Sequence, residues 1–424
     1  MQPERFSFHA IMRITPVYLS IVVLYINIFA LPPVTVALIR ETGLGHFQAG
    51  LLMTVYTVVY CVGNIFTGIL SDRYGPKSIM ITGLLAGYLC SLLFTLTDSF
   101  AVMLFTRVCL GFSAAAMTSP SLMYLYGWLP PEKRSMGVSG QLASLTLGSA
   151  LVFLITPILM RSYPWRSLLT IYALVGLVVL GALWILCKDP RREGSGEGIG
   201  QSPGAKARKG DKAGGILSPV MLLLSGVLFV ALFQIGGTLT WLAPWLEEKC
   251  RFAPWEIGLG AMSFSLFGIP STLMGGFLVA RLGPGRISRI ASMSMIGMLV
   301  SASMVAFIVL ESTHLFGLIL LVIVLARFGS FMFVGSLLSL VPKLVKPGFE
   351  GKAVGVVNAI AMAGGFFASL LAGYIVEETS QYHLVWIIFA LALIVSAIVL
   401  HPLLGKALAG TGDGKVRGEK EGNK

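Results

Sequence analysis

Two arginines, Arg107 and Arg327, stand inside long runs of apolar residues. A charge within a membrane span costs about 2.5–3.5 kcal/mol or more, so it marks a functional site by default. A guanidinium offers paired N–H donors that match a carboxylate or another oxyanion. Every Asp and Glu, in contrast, lies in a loop or at the end of a run. The two arginines therefore predict a positively charged site for an anion.

The runs that carry these arginines are long enough to cross a membrane. The chain has 424 residues, of which 56% are hydrophobic and 12% charged, whereas a soluble domain carries about 25% charged residues. A spanning helix needs about 20 apolar residues. Twelve runs meet this length, at roughly 16–38, 47–70, 78–97, 100–127, 136–160, 167–187, 216–240, 256–280, 287–310, 315–341, 353–376 and 384–404. The composition predicts an all-α integral membrane protein with many spans.

The charged segment 188–215 divides the runs into two sets of six. Its glycines and charges are typical of a flexible linker. We therefore predict an N-terminal six-helix bundle over 1–187, a linker over 188–215, a C-terminal six-helix bundle over 216–404 and a tail over 405–424. At 1.5 Å per residue, Arg107 lies roughly 10 Å and Arg327 roughly 18 Å from the outer ends of their spans.

The distribution of Lys and Arg predicts the orientation in the cell (inner) membrane. With the N-terminus inside, 24 of the 31 Lys and Arg residues fall on the cytoplasmic side, five fall outside and two lie within spans. The positive-inside rule then puts both termini in the cytoplasm. The net charge of +12 reflects this topology, so we expect no nucleic-acid partner.

A charged hairpin joins the second and third runs and recurs in the second half. The first copy reads Gly68-Ile-Leu-Ser-Asp72-Arg73-Tyr-Gly75-Pro76-Lys77, and the second reads Gly276-Phe-Leu-Val-Ala280-Arg281-Leu-Gly283-Pro284-Gly285-Arg286. A repeat at half the chain length in an apolar protein indicates a duplicated membrane fold. The first copy resembles the loop between helices 2 and 3 of the major facilitator superfamily, of the form G-x-x-x-D-R-x-G-[RK]-[RK].

Three further stretches resemble the same superfamily, in the same order along the chain. They are Arg107-x-x-x-Gly111-x-x-x-Ala115, Leu129-Pro-Pro-Glu132-Lys-Arg134 and Trp165-Arg166. The resemblance covers nearly the whole chain, and the chain loosely resembles the cyanate, nitrate and organic-anion permease branches. It implies twelve transmembrane helices in two pseudo-symmetric six-helix bundles and transport by alternating access.

The hairpin residues are predicted to form a cytoplasmic gate. The resemblance implies that Asp72 accepts hydrogen bonds at the N-terminus of a helix in the other half, where unpaired N–H groups carry partial positive charge. The alternative is a charged turn at the membrane interface. The second copy has Ala280 where the first has Asp72, so we expect an asymmetric contact. The gating prediction covers Asp72, Arg73, Gly75, Lys77, Arg134 and Arg281.

The predicted substrate site is centred on the two arginines, which we expect to bind one anionic group. In this superfamily spans 1, 2 and 7 line the cavity, and polar side chains on those runs complete the prediction. Arg107 has a structural or proton-handling role as its alternative, because it matches a superfamily motif. The substrate-binding prediction covers Arg327, Arg107, Asn27, Gln234, Tyr56 and Tyr60.

Two backbone features accompany these sites. Pro32-Pro33 is predicted to break or kink the first span near its outer end. Small residues at four-residue spacing, as at Gly140, Ser144 and Gly148, favour close helix packing over chemistry.

The leading interpretation is a secondary transporter of a small anion, with organic carboxylates first. An inorganic-anion permease (nitrate, nitrite or cyanate) and a drug efflux transporter are the alternatives. With no titratable acid inside a span, we expect uniport, exchange, or symport in which substrate or water carries the proton. A membrane sensor lacks a soluble domain here, and an enzyme lacks an acid–base constellation. We expect no cofactor, no metal and a monomer in the lipid bilayer.

Overall fold

The computed structural model describes residues 8–129, 134–187, 218–271, 274, 295–338 and 350–404, and all regular structure in these ranges is helical. The ranges before residue 188 form the helices α1 (Phe8–Phe29), α2 (Leu31–Thr42), α3 (His46–Tyr74), α4 (Pro76–Thr95), α5 (Phe100–Trp128), α6 (Arg134–Leu159) and α7 (Trp165–Leu186). The predicted linker and the tail lie outside the described residues.

The later ranges form six further helices. They are α8 (Pro219–Glu248), α9 (Pro254–Leu266), α10 (Met295–Leu310, with a 3₁₀ turn over Ala302–Ala306), α11 (Phe316–Leu338), α12 (Glu350–Thr379) and α13 (Tyr382–Val395, continued by a π-helical turn over Ser396–Leu400).

These helices confirm the all-α membrane architecture. In the described ranges, nine helices are long and apolar enough to cross a membrane, with α1 and α2 forming one such span. Two shorter apolar helices begin at Met295 and Phe316. Side chains such as Ile185 and Val178, which are 76% and 73% exposed, suit contact with lipid chains rather than with water.

The break predicted at Pro32-Pro33 is confirmed. Helix α1 ends at Phe29 and α2 begins at Leu31, with both prolines in its first turn. Proline is tolerated in a first turn because the N–H groups there have no partner within the helix. The intervening Ala30 keeps near-helical angles (φ −68°, ψ −23°).

The structure divides into two compact units. The first comprises Met1–Pro203 with Thr240–Leu266, and the second comprises Gly204–Leu239 with Phe267–Lys424. Helix α8 therefore contributes its first part to the second unit and its last part to the first. The sequence-based division at 187 and 216 stays a prediction.

Close helix approaches depend on glycine in both units. A methyl group added at Gly148 in α6 would lie 2.3 Å from the carbonyl oxygen of Val22 in α1. In the second unit, a methyl group added at Gly236 in α8 would lie 2.5 Å from the Cα of Gly365 in α12. Such contacts let backbones pack directly against one another. They support the packing role expected for the stripe that contains Gly148.

Candidate functional site

Arg107 is buried in the first unit, on α5. Its side chain is only 6% exposed. Nε donates to the carbonyl oxygen of Leu52 on α3 and Nη2 to that of Ile28 on α1, both at 2.9 Å. The guanidinium also lies 6.0 Å from the centroid of the Tyr56 ring, within cation–π range. Arg107 thus joins three helices through their backbones.

The contact with Ile28 has a specific cause in the sequence. In an α-helix the carbonyl of residue 28 accepts from the N–H of residue 32. Residue 32 is Pro32, which has no N–H. Nη2 of Arg107 supplies a donor where the helix cannot. The arginine therefore satisfies a buried carbonyl that the proline break leaves open.

Asn27 lies next to this contact but is directed to other carbonyls. Its Nδ2 donates to Val23 O at 2.9 Å and to Tyr172 O at 3.1 Å, so both amide hydrogens are used. Asn27 and Arg107 line a cavity of about 20 Å³, enough for one water or little more. An organic anion needs more room than this. The substrate roles of both residues stay predictions.

Tyr56 and Tyr60 lie on successive turns of α3 and have different surroundings. Tyr56 packs edge-to-face against Phe29, with ring centroids 6.2 Å apart. Tyr60 lines a larger cavity of about 70 Å³, together with Tyr25, Thr118 and Gln141. Of the predicted residues in the first unit, Arg107 lies near Tyr56 and lines a cavity with Asn27, and Tyr56 and Tyr60 pack against the same hydrophobic cluster.

Arg327 lies at the centre of α11, in the second unit, and is 7% exposed. Its guanidinium packs against the backbone at Gly268, where an added methyl group would lie 2.9 Å from Nη2 and 3.1 Å from Nε. The missing side chain at Gly268 thus provides the space that the guanidinium occupies. One turn further, Ser271 donates to Phe328 O at 2.7 Å and ties this segment to α11.

An uncharged polar network flanks Arg327. Ser330 Oγ lies 2.6 Å from Oε1 of Gln234 on α8 and 2.9 Å from Oγ of Ser301 on α10. Nε2 of Gln234 donates to Thr238 Oγ1 at 3.2 Å. All of these side chains are buried. The network holds α8, α10 and α11 together next to the arginine, and it brings two predicted residues, Gln234 and Arg327, into one region.

The charged hairpin makes its turn at Gly75. Gly75 separates α3 from α4 with φ +88°, a conformation that favours glycine, and Pro76 begins α4. Asp72 and Arg73 are exposed at the end of α3. Lys77 Nζ donates to Trp184 O at 2.9 Å. Gly75 and Pro76 account for the turn; the gating role stays a prediction.

Two of the predicted gating residues have side chains outside the described part of the structure. Arg134 begins α6, but its side chain lies outside the described residues, as does the whole of Arg281.

Comparison with known proteins establishes the family. The family model described as Major Facilitator Superfamily matches residues 17–347, with a second match over 224–416. The chain belongs to the Major Facilitator Superfamily. It is therefore a multi-pass membrane transporter and not an enzyme.

Curated relatives and a solved structure agree with this membership. The inner membrane transport protein YnfM of Escherichia coli (strain K12) is 24% identical over 61% of each chain. The probable sulfoacetate transporter SauU of Cupriavidus necator is 25% identical over 88% of this chain and 89% of the relative. The hexuronate transporter of Bacillus subtilis (strain 168) is 22% identical over 93% and 95%.

The solved structure is that of a bacterial homolog of the human lysosomal transporter Spinster. It has a TM-score of 0.79, 17% identity and coverage of 94% of this chain and 98% of the other. At this identity the likeness shows the major facilitator fold alone.

The structure adds polar residues that the sequence prediction did not include. Gln141 lies within the predicted span 136–160, where a buried amide needs hydrogen-bond partners, and that signal was available in the sequence. Thr118 has no comparable signal, because hydroxyls in membrane helices usually bond to their own backbone. The role of Gly268 depends on its contact with Arg327, so the sequence gives no signal for it.

Proposed function

We propose that this major facilitator moves a small organic carboxylate across the membrane by alternating access, and that Arg327 is its anion-binding residue. The observation that carries the proposal is the buried guanidinium of Arg327, with its space provided by Gly268 and a neutral network at its side. A charged side chain inside a span marks a functional site by default. A guanidinium binds a carboxylate through paired, charge-assisted hydrogen bonds.

The surroundings of Arg327 support an anion over a cation as substrate. Gln234, Ser301 and Ser330 are uncharged, and every acidic residue of the sequence lies in a loop or near the end of an apolar run. Cationic substrates usually pair with a buried carboxylate. Two relatives, matched over 89% and 95% of their length, are named for sulfoacetate and hexuronate, which are both organic anions.

The proposal includes the transport mode and the topology. Without a titratable acid in a span, the carboxylate moves by uniport, by exchange, or with a proton carried on the substrate or by water. The protein acts as a monomer, with both termini in the cytoplasm as the Lys and Arg distribution requires. The hairpin at Asp72 then lies on the cytoplasmic side and acts as a gate.

Ligand-dependent stabilisation of the purified protein tests the anion site. Mono- and dicarboxylates, nitrate, nitrite, cyanate and cationic dyes are added in turn, and the unfolding midpoint is measured. A ligand at 100 times its Kd that binds only the folded state adds about 2.7 kcal/mol. We expect one carboxylate class to raise the midpoint.

Arg327→Gln should abolish this shift, and Arg327→Lys should weaken it. Hydrogen bonds to charged groups contribute about 1.5–3 kcal/mol each, so losing a bidentate pair lowers affinity by about 100-fold or more. Arg166→Gln is the matched control, because that arginine pairs with Glu41 and Asp98 at the helix ends. Shifts by nitrite or nitrate alone would replace the carboxylate with an inorganic anion. Shifts by cationic dyes alone would refute an anion site.

A further inference from the structure

Two cysteines on neighbouring helices of the first unit face each other. Cys90 lies on α4 and Cys109 lies on α5, and the thiol of Cys109 contacts that of Cys90. Both cysteines are free thiols, and both are half-buried. Two thiols held side by side can bind one atom together, and such paired binding is far tighter than binding by either thiol alone.

The packing of α4 against α5 explains why these two cysteines meet. A methyl group added at Gly83 would lie 2.3 Å from Cβ of Ala116, and one added at Gly87 would lie 2.6 Å from Cβ of Ser113. The helices are therefore antiparallel where they touch. Residues three or four apart share one face of a helix. Three residues beyond Gly87 and four residues before Ser113, the same two faces carry the cysteines.

The surroundings of the pair on both helices are apolar and open to lipid. Leu89 and Leu93 on α4 are 51% and 41% exposed, and Phe105 and Phe112 on α5 are 58% and 47% exposed. Each lies within four residues of one of the cysteines. Exposed apolar side chains in a span contact lipid chains. A ligand that reaches the thiols from the lipid must therefore be uncharged.

Charge limits what two thiols can bind in such a place. Soft ions such as Cu(I) favour sulfur ligands, but a Cu(I) ion held by two thiolates carries a net negative charge, which is costly in apolar surroundings. Hg(II) gives a neutral complex, but its linear geometry places the two sulfurs on opposite sides of the ion. Trivalent arsenic that carries one organic group also gives a neutral product. Its pyramidal geometry suits two sulfurs that are already in contact.

We propose that Cys90 and Cys109 form a bidentate binding site for an uncharged trivalent organoarsenical. The reaction is a condensation, in which R–As(OH)₂ and two thiols give R–As(S–Cys)₂ and two molecules of water. Two As–O and two S–H bonds break, and two As–S and two O–H bonds form. Arsenic stays trivalent, so the reaction needs no oxidant and leaves no charge in the lipid. The site uses no residue of the anion proposal and does not depend on it.

Intact-mass spectrometry of the full chain in lipid nanodiscs tests the site, with phenylarsine oxide as the probe. The assay contains excess 2-mercaptoethanol, which removes arsenic held by a single cysteine. We expect one phenylarsenic group per chain, and we expect 2,3-dimercaptopropanol to release it because a dithiol can replace both protein sulfurs. Absence of the adduct in 2-mercaptoethanol would overturn the proposal.

Serine variants locate the adduct. Cys90→Ser and Cys109→Ser each leave one sulfur and should weaken phenylarsine oxide binding about 100-fold or more, because the second thiol no longer contributes. The alanine variants at the same positions serve if a serine variant does not fold. Cys61→Ser is the matched control, since Cys61 is a half-buried cysteine on α3, and it should leave binding unchanged. Undiminished binding in the folded Cys90 and Cys109 variants, or equal weakening by Cys61→Ser, would overturn the site.

Discussion

Arg107 offers a test in which its hydrogen-bond donors are removed and a backbone N–H is restored at a second position. The change is Arg107→Met, which keeps a long, flexible side chain but removes the N–H donors of the guanidinium. It breaks the two hydrogen bonds to Leu52 O and Ile28 O. Leu52 O retains its ordinary partner within α3. Ile28 O does not, because Pro32 has no N–H.

The magnitude follows from that asymmetry. Leaving a buried carbonyl without a partner costs about 1–3 kcal/mol, and Ile28 O bears most of that cost. Pro32→Ala returns an N–H at the position from which a helix would satisfy Ile28, and Ala30 already has helical angles. We expect Pro32→Ala to change the wild type little and to restore about 1–2 kcal/mol to Arg107→Met. Such non-additivity is what a double-mutant cycle measures.

Unfolding of the four proteins of the cycle is compared in one detergent, by denaturant or heat. Unfolding of membrane proteins need not be two-state, so midpoints are compared under identical conditions. Pro33→Ala is the matched control, since it returns an N–H that faces Phe29 O instead.

Two results would refute the reasoning. In one, Arg107→Met costs nothing, which would mean that the carbonyl contacts do not stabilise the fold. In the other, Pro32→Ala and Pro33→Ala restore Arg107→Met equally, which would mean that the effect is a general straightening of the helix. Specific rescue by Pro32→Ala would identify a structural role for Arg107.

Two further predictions concern packing and surface charge. Gly148→Ala should destabilise the first unit by about 1–3 kcal/mol, because the added methyl group would lie 2.3 Å from Val22 O. Gly181→Ala is the control and should be neutral in the same unfolding assay, because an added methyl group there has nothing within 4 Å. Equal effects of the two substitutions would contradict the packing argument. Arg166→Gln should cost less than about 1 kcal/mol, because its carboxylate partners are 48% and 78% exposed. That small loss should shrink further at high salt, and a loss as large as that of Arg107→Met would contradict this account.

The features that the sequence predicts are those that depend on local patterns along the chain. The length of the apolar runs predicted the membrane helices, because the bilayer sets a minimum span. The break at Pro32-Pro33 followed from the missing N–H of proline. The family resemblance rested on short motifs whose order along the chain could be checked by reading.

Partners across helices depend on the tertiary structure. The sequence by itself determined that Arg107 and Pro32 lie in apolar runs, but which face of α5 meets α1 is decided by the packing of several helices. The same holds for Gly268 against Arg327 and for the convergence of Tyr60, Thr118 and Gln141. These contacts join distant segments, so no local pattern encodes them. The chain itself specifies charges, breaks and spans, and the packed fold decides which buried donor meets which acceptor.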